Sequence, residues 1–274
     1  MTSPATAEPS EEAALYERSG HVAVITLNRP RALNAVNAAL STAVGHGLER
    51  AADDPDVRVV VVTGAGRAFC AGADLKELAA GRDVHAPDHP EWGFAGLVRH
   101  WIDKPVVAAV NGFAMGGGTE IALACDLVVA AEDATFGLPE VKRGLLAAAG
   151  GVVRLQRQLP FKRALELALT GDGITARQAE HWGLVNILAE PGKALADALD
   201  LAARIAENAP LSVQHTKRIM HRTAAAGSDW DPEWSHGEVW ALNEQAKDVV
   251  FATCDAQEGA TAFAEKRPPV WQGR

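Results

Sequence analysis

Residues 111–125, NGFAMGGGTEIALAC, hold this chain's densest concentration of chemistry-bearing types. Gly116, Gly117 and Gly118 stand between an apolar run and the start of a helical pattern. Three glycines in a row cost backbone entropy, which makes sense where something must approach the main chain closely. N–H groups at a helix N-terminus have no intrahelical acceptor and favour negative charge. Glu120 falls in that first turn. Two readings stay open from these residues alone. One is an anion-stabilising N–H beside a carboxylate base. The other is a tight strand-to-helix turn in which Glu120 merely complements the helix dipole.

A second glycine-containing loop covers residues 64–74, GAGRAFCAGAD. A dinucleotide fingerprint would need glycine where Phe69 stands and a helix opening at once, and neither holds. A phosphate loop fails for want of Gly-Lys-Ser/Thr. A third element is Glu140, which follows Pro139 after a strand-like run. No Gly-x-Ser-x-Gly elbow occurs, which disfavours serine hydrolysis on that fold. His85 and His89 are four apart, but Pro87 and Pro90 break the helix that a metal pair at this spacing requires, so no metal is expected. His215 and His221 read as surface or packing histidines. Trp230, Trp234 and Trp240 read as packing residues of a late helix.

The elements that must carry these residues follow from periodicity. Residues 21–27 are β-rich and end at the turn Asn28-Arg29-Pro30. Residues 35–52 repeat apolar types every four positions, as a helix does. Residues 57–63, VRVVVVT, read as a strand covered on both faces. Residues 74–80 read as a short helix, 105–110 and 126–130 as further buried strands. Residues 81–93 form a polar, proline-containing stretch with no period, expected to be a mobile loop. Helical spacing then dominates at 160–170, 175–182, 194–208 and 211–225, and continues through 233–251 and 258–266. Strands with helices outside, followed by a helical section, define an α/β protein.

Composition bounds the rest. The chain has 274 residues, 26 Lys+Arg against 35 Asp+Glu, and a net charge of −9. That balance argues against nucleic acid as a partner. Cys70, Cys125 and Cys254 are distant and odd in number, and read as small buried hydrophobes in a reducing compartment. No apolar run suggests a membrane span, and residues 1–14 read as a short disordered tail rather than a secretory signal. The expectation is a cytoplasmic protein.

Taken together, the three segments resemble the enoyl-CoA hydratase/isomerase (crotonase) superfamily, from about Tyr16 to Arg274. Asn28-Arg29-Pro30-Arg31-Ala32-Leu33-Asn34-Ala35 is similar to the family's first turn, and Phe69-Cys70-Ala71-Gly72-Ala73-Asp74-Leu75 to its oxyanion loop. Residues 111–118 with Glu120, residues 136–145 and residues 255–267 are similar to three further family motifs. Any one motif is weak, and five in order and spacing are strong.

The resemblance implies a spiral of ββα repeats with a helical C-terminal section that builds trimers, often paired into hexamers. That gives a tail over 1–14, a catalytic core over 15–188 and a helical section over 189–274. It implies an oxyanion hole from the main-chain N–H groups of Ala73 and Gly117, and two carboxylates, Glu120 and Glu140, acting on one water. It implies CoA contacts at Arg31, Ala32, Leu33, Ala71, Asp74 and Leu75, with Phe263 and Lys266 closing the site, from a neighbouring subunit where the assembly allows. CoA belongs to the substrate, so no separate cofactor is expected. The implied activity is hydration of a 2-enoyl-CoA, as in β-oxidation of fatty acids. Alternatives are an isomerase or dehydratase of the same superfamily, or a non-catalytic acyl-CoA-binding scaffold. One departure is clear: Leu146-Ala147-Ala148-Ala149-Gly150-Gly151 replaces the common proline followed by GAGG, which reshapes the acyl end.

Overall fold

The computed structural model describes residues 12–223, 245, 247–249 and 252–274. Two sheets form among the described residues. The larger contains β1 (Ala14–Ser19), β2 (Val22–Leu27), β3 (Val59–Gly64), β5 (Val106–Val110), β7 (Leu127–Ala131) and β10 (Ile187–Ala189), in the order β1-β2-β3-β5-β7-β10. The smaller contains β4 (Ala68–Cys70), β6 (Phe113–Met115), β8 (Thr135–Gly137) and β9 (Ile174–Thr175), in that order. The β1–β2 and β8–β9 pairs are antiparallel and the rest parallel.

The chain repeats one gesture three times. β3 enters the large sheet, turns, and gives β4 to the small one before α2 (Leu75–Ala79). β5, β6 and α3 (Gly117–Ala124) do the same, and then β7 and β8. The valines of β3 explain its central place: Val59 to Val62 are each fully buried, because both faces of the strand are covered. α7 (Ala194–Ala206) packs on β3, β5 and β7 through Ala198 and Ala202, side chains small enough for close approach. α1 (Ala38–Asp53) opens at Asn37, whose side chain accepts the Leu40 N–H. The remaining described helices are α4 (Gly151–Gln158), α5 (Phe161–Thr170), α6 (Ala176–His181), α8 (Pro210–Thr223) and α9 (Cys254–Glu265).

Several expectations need correction. β1 begins at Ala14, inside the stretch read as a tail, and Asn28 bonds the carbonyls of Glu12 and Ala13. The stretch 81–93 is not a free loop. Val84, Ala86 and Trp92 are buried, and Ser41 donates its hydroxyl to the Val84 carbonyl at 2.6 Å. Trp92 lies flat on α1 at Gly45, stacked between His89 and His100 at centroid distances of 3.9 and 4.7 Å. His85 and His89 face Asp83 and Glu91 instead of each other. Cys254 is exposed, unlike Cys70 and Cys125. Trp230, Trp234 and Trp240, and most of 233–251, lie outside the described residues. No described helix is long and apolar enough to cross a membrane.

Candidate active site

The first turn and the oxyanion loop are joined by main chain. Leu33 and Asn34 adopt left-handed φ angles of 53° and 57°. Asn34 is tolerated there because its side chain is fully used: it accepts from Arg29 N and donates to the carbonyls of Ala65 and Ala68. The Leu33 carbonyl accepts from Ala71 N, the Gly72 carbonyl from Val36 N, and the Val36 carbonyl from Asp74 N. In this parallel bridge Val36 bonds the residues flanking Ala73. The N–H of Ala73 therefore points away from Val36. Gly72 turns the chain with φ 95°, and a Cβ there would stand 3.2 Å from the Gly117 nitrogen. The loop so arrives against the first residue of α3, whose N–H is one of the helix's unsatisfied donors. Gly72, next to Ala73 in the chain, is thus brought against Gly117.

α3 is buried almost all round, as a helix between two sheets must be. Thr119 fixes its rotation. Its hydroxyl donates to the Ala114 carbonyl at 2.5 Å and accepts from Gly137 N at 3.0 Å, pinning α3 to β6 and β8. Glu120 is then held inside, 4% exposed. Its Oε1 accepts the Gly151 N–H at 2.8 Å. Burial pushes its carboxyl up to about 7, and Glu140 pushes the same way. The Gly151 N–H and Arg154 oppose them.

Glu140 stands on the 3-10 turn Pro139–Arg143. Its Oε1 lies 2.8 Å from where a Cβ on Gly116 would stand, so it lies against the N-terminus of α3. Its Oε2 is buried without a hydrogen-bond partner. Burial raises this carboxyl too. A buried acceptor left unpaired costs stability, and fits a place meant for a water or a substrate atom. The two carboxyls stand around the first turn of α3, with Gly72 against its first residue and Ala73 next to Gly72 in the chain. Phe94 walls this place: its ring lies 2.4 Å from where a Cβ on Gly117 would stand.

The chain matches the family model described as enoyl-CoA hydratase/isomerase over residues 17–274. It belongs to the enoyl-CoA hydratase/isomerase family. Carnitinyl-CoA dehydratase of Salmonella typhi is 42% identical over 259 residues, 94% of this chain and 97% of that protein. The enoyl-CoA hydratase structure from Mycobacterium tuberculosis H37Rv is 45% identical, covers 96% of this chain and all of that one, and superposes with a TM-score of 0.89. The carnitinyl-CoA hydratase structure from Mycobacterium avium is 53% identical over 97% of this chain, with a TM-score of 0.77. The fold is that of the crotonase superfamily, and a hydratase-type activity agrees with the site.

The residues expected at CoA have diverse surroundings. Arg31, Ala71 and Leu75 are exposed, and Ala32 and Leu33 half-buried. Asp74 is inward: its carboxylate pairs with Arg29 at 3.0 Å and caps α2 through Lys76 N. Both partners lower its carboxyl against the opposing effect of burial. Lys266 is exposed behind α9 with φ 54°. No hydrogen bond or ion pair joins it to the turn at Arg31 among the described residues. The side chain of Phe263 lies outside the described part. Cys70, in the oxyanion loop, is fully buried and its thiol is pushed up to about 12, so it is no nucleophile at neutral pH.

Phe94, Thr119 and Arg154 escape the sequence reading, as does the bond of Gly151 to Glu120. The doublet Gly150-Gly151 before a helical run was the available signal, since it repeats the glycine-then-helix pattern of 116–118.

Proposed function

We propose that the chain adds water across the 2,3 double bond of a 2-enoyl-CoA thioester. The observation that carries this is the convergence of two buried carboxyls, Glu120 and Glu140, both raised by burial, on the helix turn that bears the Gly117 N–H. The water oxygen bonds to Cβ as its proton passes to one carboxylate. The π electrons move to the thioester oxygen, giving an enolate. The N–H groups of Ala73 and Gly117 stabilise that oxyanion without reorganising, worth about 2.7–4 kcal/mol per donor. The other carboxyl protonates Cα and restores the C=O bond. Two carboxyls in one pocket titrate as a pair, which leaves one protonated near neutrality. Atoms balance with the chain's own groups, and CoA enters only as part of the substrate. The exposed Arg31 suits a CoA phosphate, and the main chain of 71–75 suits its adenine.

The same groups run the reverse reaction. The name of the Salmonella typhi relative, a dehydratase, supports that direction as a second reading, with removal of water from a carnitinyl-type thioester. The test is a panel of enoyl-CoA and 3-hydroxyacyl-CoA thioesters, carnitinyl-CoA included, followed by the absorbance of the conjugated thioester. Turnover of wild type with collapse in both Glu120→Gln and Glu140→Gln supports the mechanism. Unchanged turnover in both variants rules it out. Binding of acyl-CoA without turnover indicates a scaffold. Assembly as trimers or hexamers and a cytoplasmic setting belong to this proposal.

A further inference from the structure

Glu120 is held by a turn rather than by another side chain. Residues 149–150 lead into α4, and Gly151, its first residue, supplies the N–H at 2.8 Å. Arg154, one turn into α4, folds its guanidinium back over this turn. Its Nη1 lies so close that a Cβ on Gly150 would stand 2.2 Å from it, and Gly150 has φ 107°. Nη1 reaches the Ala149 carbonyl at 3.5 Å, and Nη2 donates to the Val98 carbonyl at 2.5 Å. Val98 belongs to the segment that begins with the Phe94 wall. That segment is unusual backbone: Gly93, Ala95 and Gly96 have φ of 72°, 57° and 64°. Its own main-chain bonds and its packing on α1 shape it, and Arg154 adds a tie from α4.

One side chain thus spans the turn that fixes Glu120 and the segment that backs Gly117. Both of its hydrogen bonds end on main-chain carbonyls, and it makes no ion pair among the described residues. Its charge acts on Glu120 from α4, while Glu140 acts on Glu120 from the turn 139–143. Around Arg154 itself, Arg99 and Arg157 oppose its charge, and Cys125 and Glu120 lie within its field.

We propose that Arg154 is a positioning residue: it clips the Phe94 segment to the turn that holds Glu120, and sets its guanidinium beside that turn. Only the use made of that carboxylate rests on the hydratase reading. A planar fork suits the task, because it reaches two carbonyls in divergent directions and remains charged when half-buried.

The test titrates Glu120 in the free protein, by NMR of protein carrying ¹³C-carboxyl glutamate, with the resonance assigned by its loss in Glu120→Gln. Wild type should titrate near pH 7. Arg154→Met and Arg154→Gln should raise the proton affinity of Glu120 about threefold or more. Arg154→Lys keeps the charge and should titrate as wild type. Its turnover should nonetheless fall about tenfold, since one ammonium cannot span both carbonyls. Arg157→Met, an equal charge loss on the exposed side of α4, should change nothing. A Glu120 titration unmoved in Arg154→Gln, or moved as far by Arg157→Met, overturns the proposal. If Arg154→Met does not fold, the Gln and Lys variants decide it. A wild type that titrates as described yet hydrates no thioester overturns the hydratase reading alone.

Discussion

A carboxyl that burial keeps protonated works against folding once it ionises. Glu120 titrates near 7 when folded, against an ordinary 4.5. Between those values the folded chain binds the extra proton, so its stability falls as pH rises through that window. Glu120→Gln retains an oxygen for the Gly151 N–H and removes the ionisation. The variant should melt above wild type at pH 8, and the gap should close as pH falls toward 4.5, followed by calorimetry. The same substitution should cost about 10²–10⁴-fold in turnover, and Glu140→Gln as much, measured with the best thioester of the panel. A residue that stabilises when removed and abolishes turnover is held in place for its chemistry. Asp74 is the contrasting case. Its side chain serves the fold, so Asp74→Ala should cost about 0.5–2 kcal/mol from the lost α2 cap, with the Arg29 pair in addition, read from urea unfolding.

At the scale of elements, close backbone approach does most of the positioning. A Cβ at Gly118 would stand 2.0 Å from the Cys70 carbonyl oxygen, so α3 rests directly on β4. Gly118→Ala should push α3 away, lowering stability by about 1–3 kcal/mol and displacing the Gly117 donor, seen in urea unfolding and in kcat together. This is also where sequence reading succeeds and stops. The continuous valines of β3 and the four-residue spacing of α1 declare themselves, because burial imposes a period on a long segment. β4, β6 and β8, three residues each, are too short to show one. β1 hides because half of its residues are polar and exposed, as an edge strand allows. Among site residues, Glu120 and Glu140 were legible through their motifs. Phe94 and Arg154 were not, because their roles come from contacts with Gly117 and Val98, far away in sequence.

On the whole molecule, apolar side chains remain uncovered around α5. Val141, Leu145, Leu146, Phe161 and Leu169 are exposed, Leu169 at 70%. α5 packs against the turn 139–143 that carries Glu140, so this face adjoins the site. A face of this kind on a chain of net charge −9 suits association with copies of itself, where burial outweighs the repulsion. Sedimentation velocity should show a multiple of three chains, and Leu169→Glu with Phe161→Asp should shift it toward the monomer.

The threefold strand-strand gesture has a consequence for how the protein is made. The first pass through both sheets delivers Ala73, the second Gly117 and Glu120, and the third Glu140; the Gly151 donor comes later still. A nascent chain that ends at β7 has the large sheet's central strands but lacks the Gly137 and Gly151 N–H groups that complete the hold on Glu120. The last of these groups emerges only after more than half of the chain has been made. A stalled or truncated product can be substantially folded and still be inert.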